Sequence, residues 1–385
     1  MMSETHNGQN VTTRISYQRG ISIWLGSVLV MIFCMVVIGG ITRLTGSGLS
    51  MVEWRPLMGT LPPLSDSEWL RVFELYQASP QYQKVNQWMT ITDFKWIFFW
   101  EYLHRLFGRL IGLVFALPWL YFTLRGALKG VWFWRSTAAL ILGGSQGLLG
   151  WYMVKSGLVD QPQVSHFRLA AHLSLAFFCG QWVWSMLLDL NLEKLHSYFH
   201  QNKDSSEESE LGSLINTDRS SHTLKLMMNI QISFFITLVI QIIYGAFMAG
   251  SRAGYLYTTY PKMNGYWIAP TWYNETNDLI FPSMQSLLNS PDSIHFIHRT
   301  LAVVVLLLGA WLSLLIWRSF KGFLRQLGFY LGILLILQFL LGVFTVVSGM
   351  NITLAAMHQG GSFLLLSCAL AVTQTSLRMR DKHSH

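Results

Sequence analysis

The chain has 385 residues and a formal net charge of +8, yet only 12% of its residues are charged while 52% are hydrophobic. An ordinary soluble domain carries roughly 25% charged residues, so these charges cannot cover a globule of this size and lipid must cover part of it. This excludes a disordered chain, a coiled coil, a disulfide scaffold and most soluble enzymes, and the placing of Lys and Arg in short gaps between apolar runs excludes a nucleic-acid binder.

Eight apolar segments approach the roughly 20 residues that a membrane-spanning helix needs. They are 20–41, 97–121, 131–153, 166–188, 226–249, 294–317, 324–347 and 352–374. Arg14 and Arg19 give the first the basic flank of a signal peptide, but its apolar run exceeds a cleavable core and no A-x-A site follows, so it reads as a retained helix. Arg125, Lys129 and Arg135 join the second and third segments, Arg318, Lys321 and Arg325 the sixth and seventh, and Arg378, Arg380 and Lys382 follow the eighth. The positive-inside rule then puts both termini in the cytoplasm. The long outer connections are 42–96 and 250–293. Ser65-Asp-Ser-Glu68 after Pro62-Pro63 fits a capping box and predicts a short outer helix. Residues 200–222, polar and rich in Ser and Glu, read as a flexible cytoplasmic linker.

The two halves repeat each other. Gln146-Gly-Leu-Leu-Gly150 matches Gln338-Phe-Leu-Leu-Gly342, Leu103-His-Arg105 matches Ile297-His-Arg299, and Leu169-Ala-Ala-His172 matches Leu354-Ala-Ala-Met-His358 with one insertion. Gly39 to Gly48 has a similar glycine pattern to Gly245 to Gly254. Each half holds four helices, an even number, so the repeats share one orientation, unlike inverted-repeat transporters. The expected fold is an all-α integral membrane protein with eight transmembrane helices as two parallel-repeat four-helix bundles. Its expected parts are an N-terminal segment (1–19), a first bundle (20–190), a linker (191–225), a second bundle (226–375) and a tail (376–385).

Four histidines, His104, His172, His298 and His358, fall in the first turns of alternate segments, so all four lie toward the outer face. A single membrane histidine can be an interhelical hydrogen bonder, but four at repeat-related places read as ligands. Two imidazoles from facing helices in an apolar bundle suit haem iron. Zinc or copper calls for further polar ligands, and no other Cys, Asp or His repeats in both halves. Gly108, Gly112, Gly143, Gly144, Gly147 and Gly150 leave room for a macrocycle or serve plain helix packing. Arg105, Arg299, Arg168 and Arg43 are candidate propionate contacts, through the bidentate bonding Arg offers carboxylates. Glu101 lies one turn before His104, where the second half has His295, and is the candidate acid, base or electrostatic stabiliser. His166, His196, His200, His222 and His383 read as solvated residues. Cys34, Cys179 and Cys368 lie inside apolar runs and read as small buried hydrophobes.

Gly39-Gly-Ile-Thr-Arg-Leu-Thr-Gly-Ser-Gly-Leu-Ser50, Glu53-Trp-Arg-Pro56, Pro62-Pro-Leu-Ser65, Glu101-Tyr-Leu-His-Arg105 and the paired Q-x-L-L-G segments together resemble the haem A synthase family over about residues 20–375. The chain is similar to the longer proteobacterial and mitochondrial branch, since 42–96 lacks the cysteine pair of the other branch. It departs from the family pattern at Ile297, where a polar residue commonly precedes the equivalent of His298. The resemblance implies a membrane oxidoreductase. Haem O in the first bundle is oxidised at its ring D methyl, by successive hydroxylation and loss of water, to the formyl group of haem A. It implies haem b as a permanent cofactor on His298 and His358, His104 and His172 facing the substrate haem, and Glu101 as the functional glutamate of the substrate site. Haem O synthase is the implied upstream partner, haem A-containing terminal oxidases the consumers, and an electron donor is required. The expected location is the inner membrane. The competing reading of the residues is a di-haem b electron-transfer protein, which four histidines near one face disfavour.

Overall fold

A computed structural model of the chain describes residues 4–53, 61–157, 162–200, 217–276 and 278–383, with the backbone alone at 4–16, 192–200, 217–222 and 381–383. Its long elements are helices: α1 (Glu4–Leu44), α2 (Asp66–Gln77), α3 (Ile91–Leu124), α4 (Val131–Lys155), α5 (His166–His200), α6 (Thr217–Ser251), α7 (Met284–Asn289), α8 (Pro291–Ser319), α9 (Gly322–Val347) and α10 (Ile352–His383). Two isolated bridges, Met263–Tyr266 and Tyr273–Leu279, are the only β-pairing among the described residues. Trp54, Arg55 and Pro56 and the middle of the linker lie outside the described residues. On either side of that gap α5 and α6 continue through 191–200 and 217–225.

Among the described residues seven helices are long and apolar enough to cross a membrane: α1, α3, α5, α6, α8, α9 and α10. The chain is a multi-pass membrane protein. α4 matches the third expected segment, 131–153, and, at 25 residues, reaches about 37 Å at 1.5 Å per residue. Its glycines, Ser145, Gln146 and Arg135 lower its hydropathy below that of the other seven. Outward faces are apolar, as lipid contact demands: Leu113, Leu117 and Leu124 on α3 are 55%, 63% and 77% exposed.

Local sequence explains the helix ends. Ser65 caps α2 by accepting from Glu68 N at 3.3 Å, while the Glu68 carboxylate takes Leu64 N at 2.9 Å rather than the cap residue's own amide. Thr90 and Asp93 form a full capping box on α3. α1 and α6 both end in left-handed backbone at repeat-related places, Gly46 at φ +69° and Arg252 at +57°. Glycine takes that conformation freely, whereas Arg252 takes it at a steric cost. Pro118 lies inside α3 and cannot donate to the Val114 carbonyl, which accepts instead from Trp24 Nε1 at 3.1 Å.

α1, α5, α6 and α10 meet at the centre. α3 and α4 flank α1 and α5, and α8 and α9 flank α6 and α10. The main core spans both halves: Val36, Phe177, Phe234, Leu238, Leu331 and Phe363 belong to one buried cluster. At the end opposite the histidines, Asp189 of α5 accepts from Arg135 of α4 and from Arg378 of α10, both at 2.6 Å. The carboxylate thus ties the two halves with one oxygen each. Asp189→Asn is expected to lower stability by about 1 kcal/mol, read as a lower Tm in detergent; an unchanged Tm would make the clasp dispensable.

Candidate functional site

The four histidines share one local construction. A methyl added at Gly39 of α1 would lie 3.1 Å from His104 Cε1, and one at Gly245 of α6 would lie 3.2 Å from His298 Cε1. A methyl at Gly150 of α4 would lie 3.1 Å from His172 Cε1, and one at Gly342 of α9 would lie 2.9 Å from His358 Cε1. Every imidazole therefore rests against a glycine of a neighbouring helix, where an added methyl would press on the ring, most closely at Gly342. The Q-x-L-L-G segments gain a physical meaning: Gln146 Nε2 donates to the His172 carbonyl and Gln338 Nε2 to the His358 carbonyl, both at 2.9 Å. Gln and Gly, four residues apart, share one helix face. The amide holds the histidine backbone while the glycine seats the ring. Gly112, Gly143, Gly144 and Gly147 have nothing within 4 Å of an added methyl, so Gly150 alone of the α4 glycines is such a seat.

His298 and His358 face one another with ring centroids 6.5 Å apart and planes at 87°. Metal–imidazole bonds of about 2.0–2.1 Å put two rings that share one axial metal about 6 Å apart, centre to centre. His358 Nδ1 donates to the Gln338 carbonyl at 3.2 Å, which leaves Nε2 as the basic nitrogen. His298 Nε2 accepts from Gln241 Nε2 at 3.4 Å. Both rings line a cavity with about 1450 Å³ of space free of protein atoms, its open mouth included. Among the described residues no three His, Cys, Asp or Glu converge as a metal site. Two opposed imidazoles with no third protein donor, in a large apolar cavity, fit a metal whose other ligands come from a macrocycle, and so fit haem. In the first half, His104 and His172 each bury Nδ1 without a hydrogen-bond partner among the described residues.

Glu101 is 2% exposed. Its Oε2 accepts from Ser50 Oγ and from Met51 N, both at 2.7 Å, and its Oε1 accepts from Arg105 Nη2 at 2.5 Å. Arg105 Nη2 also donates to the Met51 carbonyl at 3.1 Å. The carboxylate therefore pins the loop after α1 onto α3, one turn from His104. The second half repeats the arginine and not the acid: Arg299 Nη2 donates to the Tyr257 carbonyl at 3.1 Å, and the place of Glu101 is held by His295, fully buried beside Tyr257.

The other candidates are spread more widely. Arg168 donates to the Tyr152 carbonyl at 2.9 Å and stacks on the Tyr152 ring, serving the end of α4. Arg43 reaches from α1 to the last carbonyls of α6, Ala249 at 3.1 Å and Gly250 at 2.9 Å. His166 is not the solvated residue its position suggests. It is half-buried, hydrogen-bonded to the Leu288 carbonyl at 3.0 Å and packed on Phe167 and Phe247, because α7 folds back over it. The side chains of His196, His200, His222 and His383 lie outside the description.

Over the first-half histidines the loop 61–90 is built, not open. Tyr76 is fully buried against Phe94, its hydroxyl joins Gln81 and Asn86, and Gln81 Nε2 donates to the Gly46 carbonyl at 2.8 Å. Burial pushes the Tyr76 hydroxyl above its ordinary pKa.

Residues 22–370 match the family model described as cytochrome oxidase assembly protein. The haem A synthase of Nitrosospira multiformis is 39% identical over 370 residues, covering 94% of this chain and 95% of its own. That of Paramagnetospirillum magneticum is 38% identical, covering 91% and 92%, and that of Flavobacterium johnsoniae 37%, covering 94% and 98%.

Proposed function

The chain belongs to the cytochrome oxidase assembly protein family, and from that membership we propose that it is a haem A synthase, a membrane oxidoreductase that turns the ring D methyl of haem O into the formyl group of haem A. The observation that carries the reading is the repeated packing of four imidazoles, each against a glycine of a neighbouring helix, with His298 and His358 opposed across a cavity and Glu101 beside only the first pair. Two alike sites suit two alike ligands, and the single acid suits chemistry at one of them.

Residues 20–190 are read as the substrate bundle and 226–375 as the cofactor bundle. His298 and His358 hold haem b, which when bound supplies one-electron chemistry beside the substrate site. The Gln338 carbonyl fixes the His358 tautomer, as a resident ligand requires. His104 and His172 are read as facing haem O. Glu101 is read as the acid–base group of the substrate site: Ser50 and Met51 hold Oε2 and Arg105 holds Oε1, which keeps the carboxylate oriented one turn from His104. Arg105 and Arg299 each secure a loop carbonyl, of Met51 and Tyr257, at matching places beside their histidines, and are read as propionate partners. All four histidines lie in the first half of helices that run the same way. That favours local chemistry over electron flow across the membrane, and so favours this reading over a di-haem electron-transfer protein.

The reading includes haem O synthase upstream, a haem A-containing oxidase downstream and a separate electron donor. It places the chain in the inner membrane with both termini cytoplasmic. Expression in a host that makes haem O but lacks haem A is expected to yield haem A by chromatography of extracted haems; the absence of haem A from a well-expressed chain would reject the activity. Reporter fusions after residues 128 and 322 are expected to report cytoplasm, and a periplasmic signal at either would overturn the topology.

A further inference from the structure

Arg43 belongs by sequence to the first half, in the last turn of α1. In the structure it serves the second. Its Nε and Nη2 donate to the Ala249 and Gly250 carbonyls, two of the unpaired acceptors at the C-terminal end of α6. Nη1 has no protein partner among the described residues. Arg43 and its neighbours Gly40 and Leu44 line the cavity that holds His298 and His358. Arg299 lines it as well, with Nε buried and unpartnered.

Two guanidinium groups thus border one cavity whose lining contains no Asp or Glu. Guanidinium stays charged, and a charge in an apolar enclosure is costly unless it is paired. The carbonyl end of a helix offers Arg43 only about half an elementary charge. What the cavity lacks is anionic, and each planar fork matches one carboxylate. The asymmetry between the halves supports this. In the register that pairs Gly39 with Gly245, the repeat partner of Arg43 is Ala249, so the second half has no matching arginine to place in the first-half site.

We propose that Arg43 is a carboxylate anchor of the second-half cavity and that, with Arg299, it recognises a planar ligand bearing two carboxylates, so that the first half of the chain completes the second half's site. This rests on the haem reading above, for which those carboxylates are the two propionates of haem b. Arg43 is a binding residue here and takes no part in proton or electron movement.

The test is a titration of the full-length chain, purified in detergent from haem-starved cells, with ferric haem b and with its dimethyl ester, whose propionates carry no charge. Arg43→Gln keeps an amide donor for the α6 carbonyls and removes the cation; Arg43→Lys keeps the cation and loses the fork. Wild type is expected to prefer haem b to the ester. Arg43→Gln is expected to weaken haem b by about tenfold or more and to leave the ester unchanged, with Arg43→Lys between. Equal weakening of both ligands, or of neither, would assign Arg43 to clasping α1 onto α6 and overturn the proposal. Failure of wild type to bind either haem would instead overturn the haem reading and this inference with it.

Discussion

Glu101→Gln is expected to cut haem A formation by about a hundredfold or more, the range over which positioned acid–base groups act, while the protein keeps its haem b. Gln is the informative variant because Glu101 has two duties in this structure. Its carboxylate binds Ser50 and Met51 of the loop and pairs with Arg105, whose side chain is only 12% exposed. Both variants remove the charge that faces Arg105, but alanine also removes every acceptor that Ser50, Met51 and Arg105 use, and loss of product would then be confounded with a displaced loop. Glutamine keeps an acceptor oxygen for the loop and removes the proton-exchanging group. Product analysis with haem b quantified on the same sample separates the cases. Lost haem A with retained haem b and unchanged Tm supports a chemical role. Wild-type haem A would leave Glu101 as a loop fastener alone.

The second large effect falls on the cofactor. His298→Ala or His358→Ala is expected to abolish haem b retention through purification, read as loss of the Soret band relative to protein. The glycine seats offer an independent approach that touches no ligand. Gly342→Ala sets a methyl 2.9 Å from His358 Cε1, closer than carbon atoms pack, so the ring must shift and haem b occupancy should fall. Gly143→Ala on α4 meets nothing within 4 Å and is the matched control, expected to keep wild-type haem content. Full haem b in both histidine variants would reject the ligand assignment. Equal haem loss in Gly342→Ala and Gly143→Ala would point to generic helix disruption.

The membrane helices and the four histidines were legible because apolar length and repeat position are properties of sequence alone. The partners of those residues were not, because they are set by which helix lies beside which. The glycine runs near Gly39, Gly150, Gly245 and Gly342 stood out as a pattern, yet nothing in the pattern distinguished a seat for an imidazole from ordinary close packing. Gly150 shows the difficulty: it seats His172, while Gly143, Gly144 and Gly147 of the same helix seat nothing. Gln146 and Gln338 sat inside the repeated motif and still went unassigned, although a repeated amide one turn from a repeated glycine was signal enough to suspect a joint task. Arg43 was grouped with Arg105 as a propionate candidate without a site, and only the packing of α1 against α6 directs it to the far half. α4 reads as a span by length, but its glycines and Gln146 hold its hydropathy below the others, and two of these residues, Gln146 and Gly150, meet His172. The burial of His166 depends on α7 folding over it, a long-range contact that its place at a segment end does not signal.

The haems that accompany the protein report its activity most directly. The decisive measurement is extraction and chromatography of haem from the purified chain, expressed in a host that also makes haem O, with a pyridine haemochrome spectrum of the same sample. Haem b together with haem O or haem A is the predicted result. Haem b alone, with haem O abundant in the same membranes, would contradict the synthase reading in favour of electron transfer, and no haem at all would contradict the role given to all four histidines.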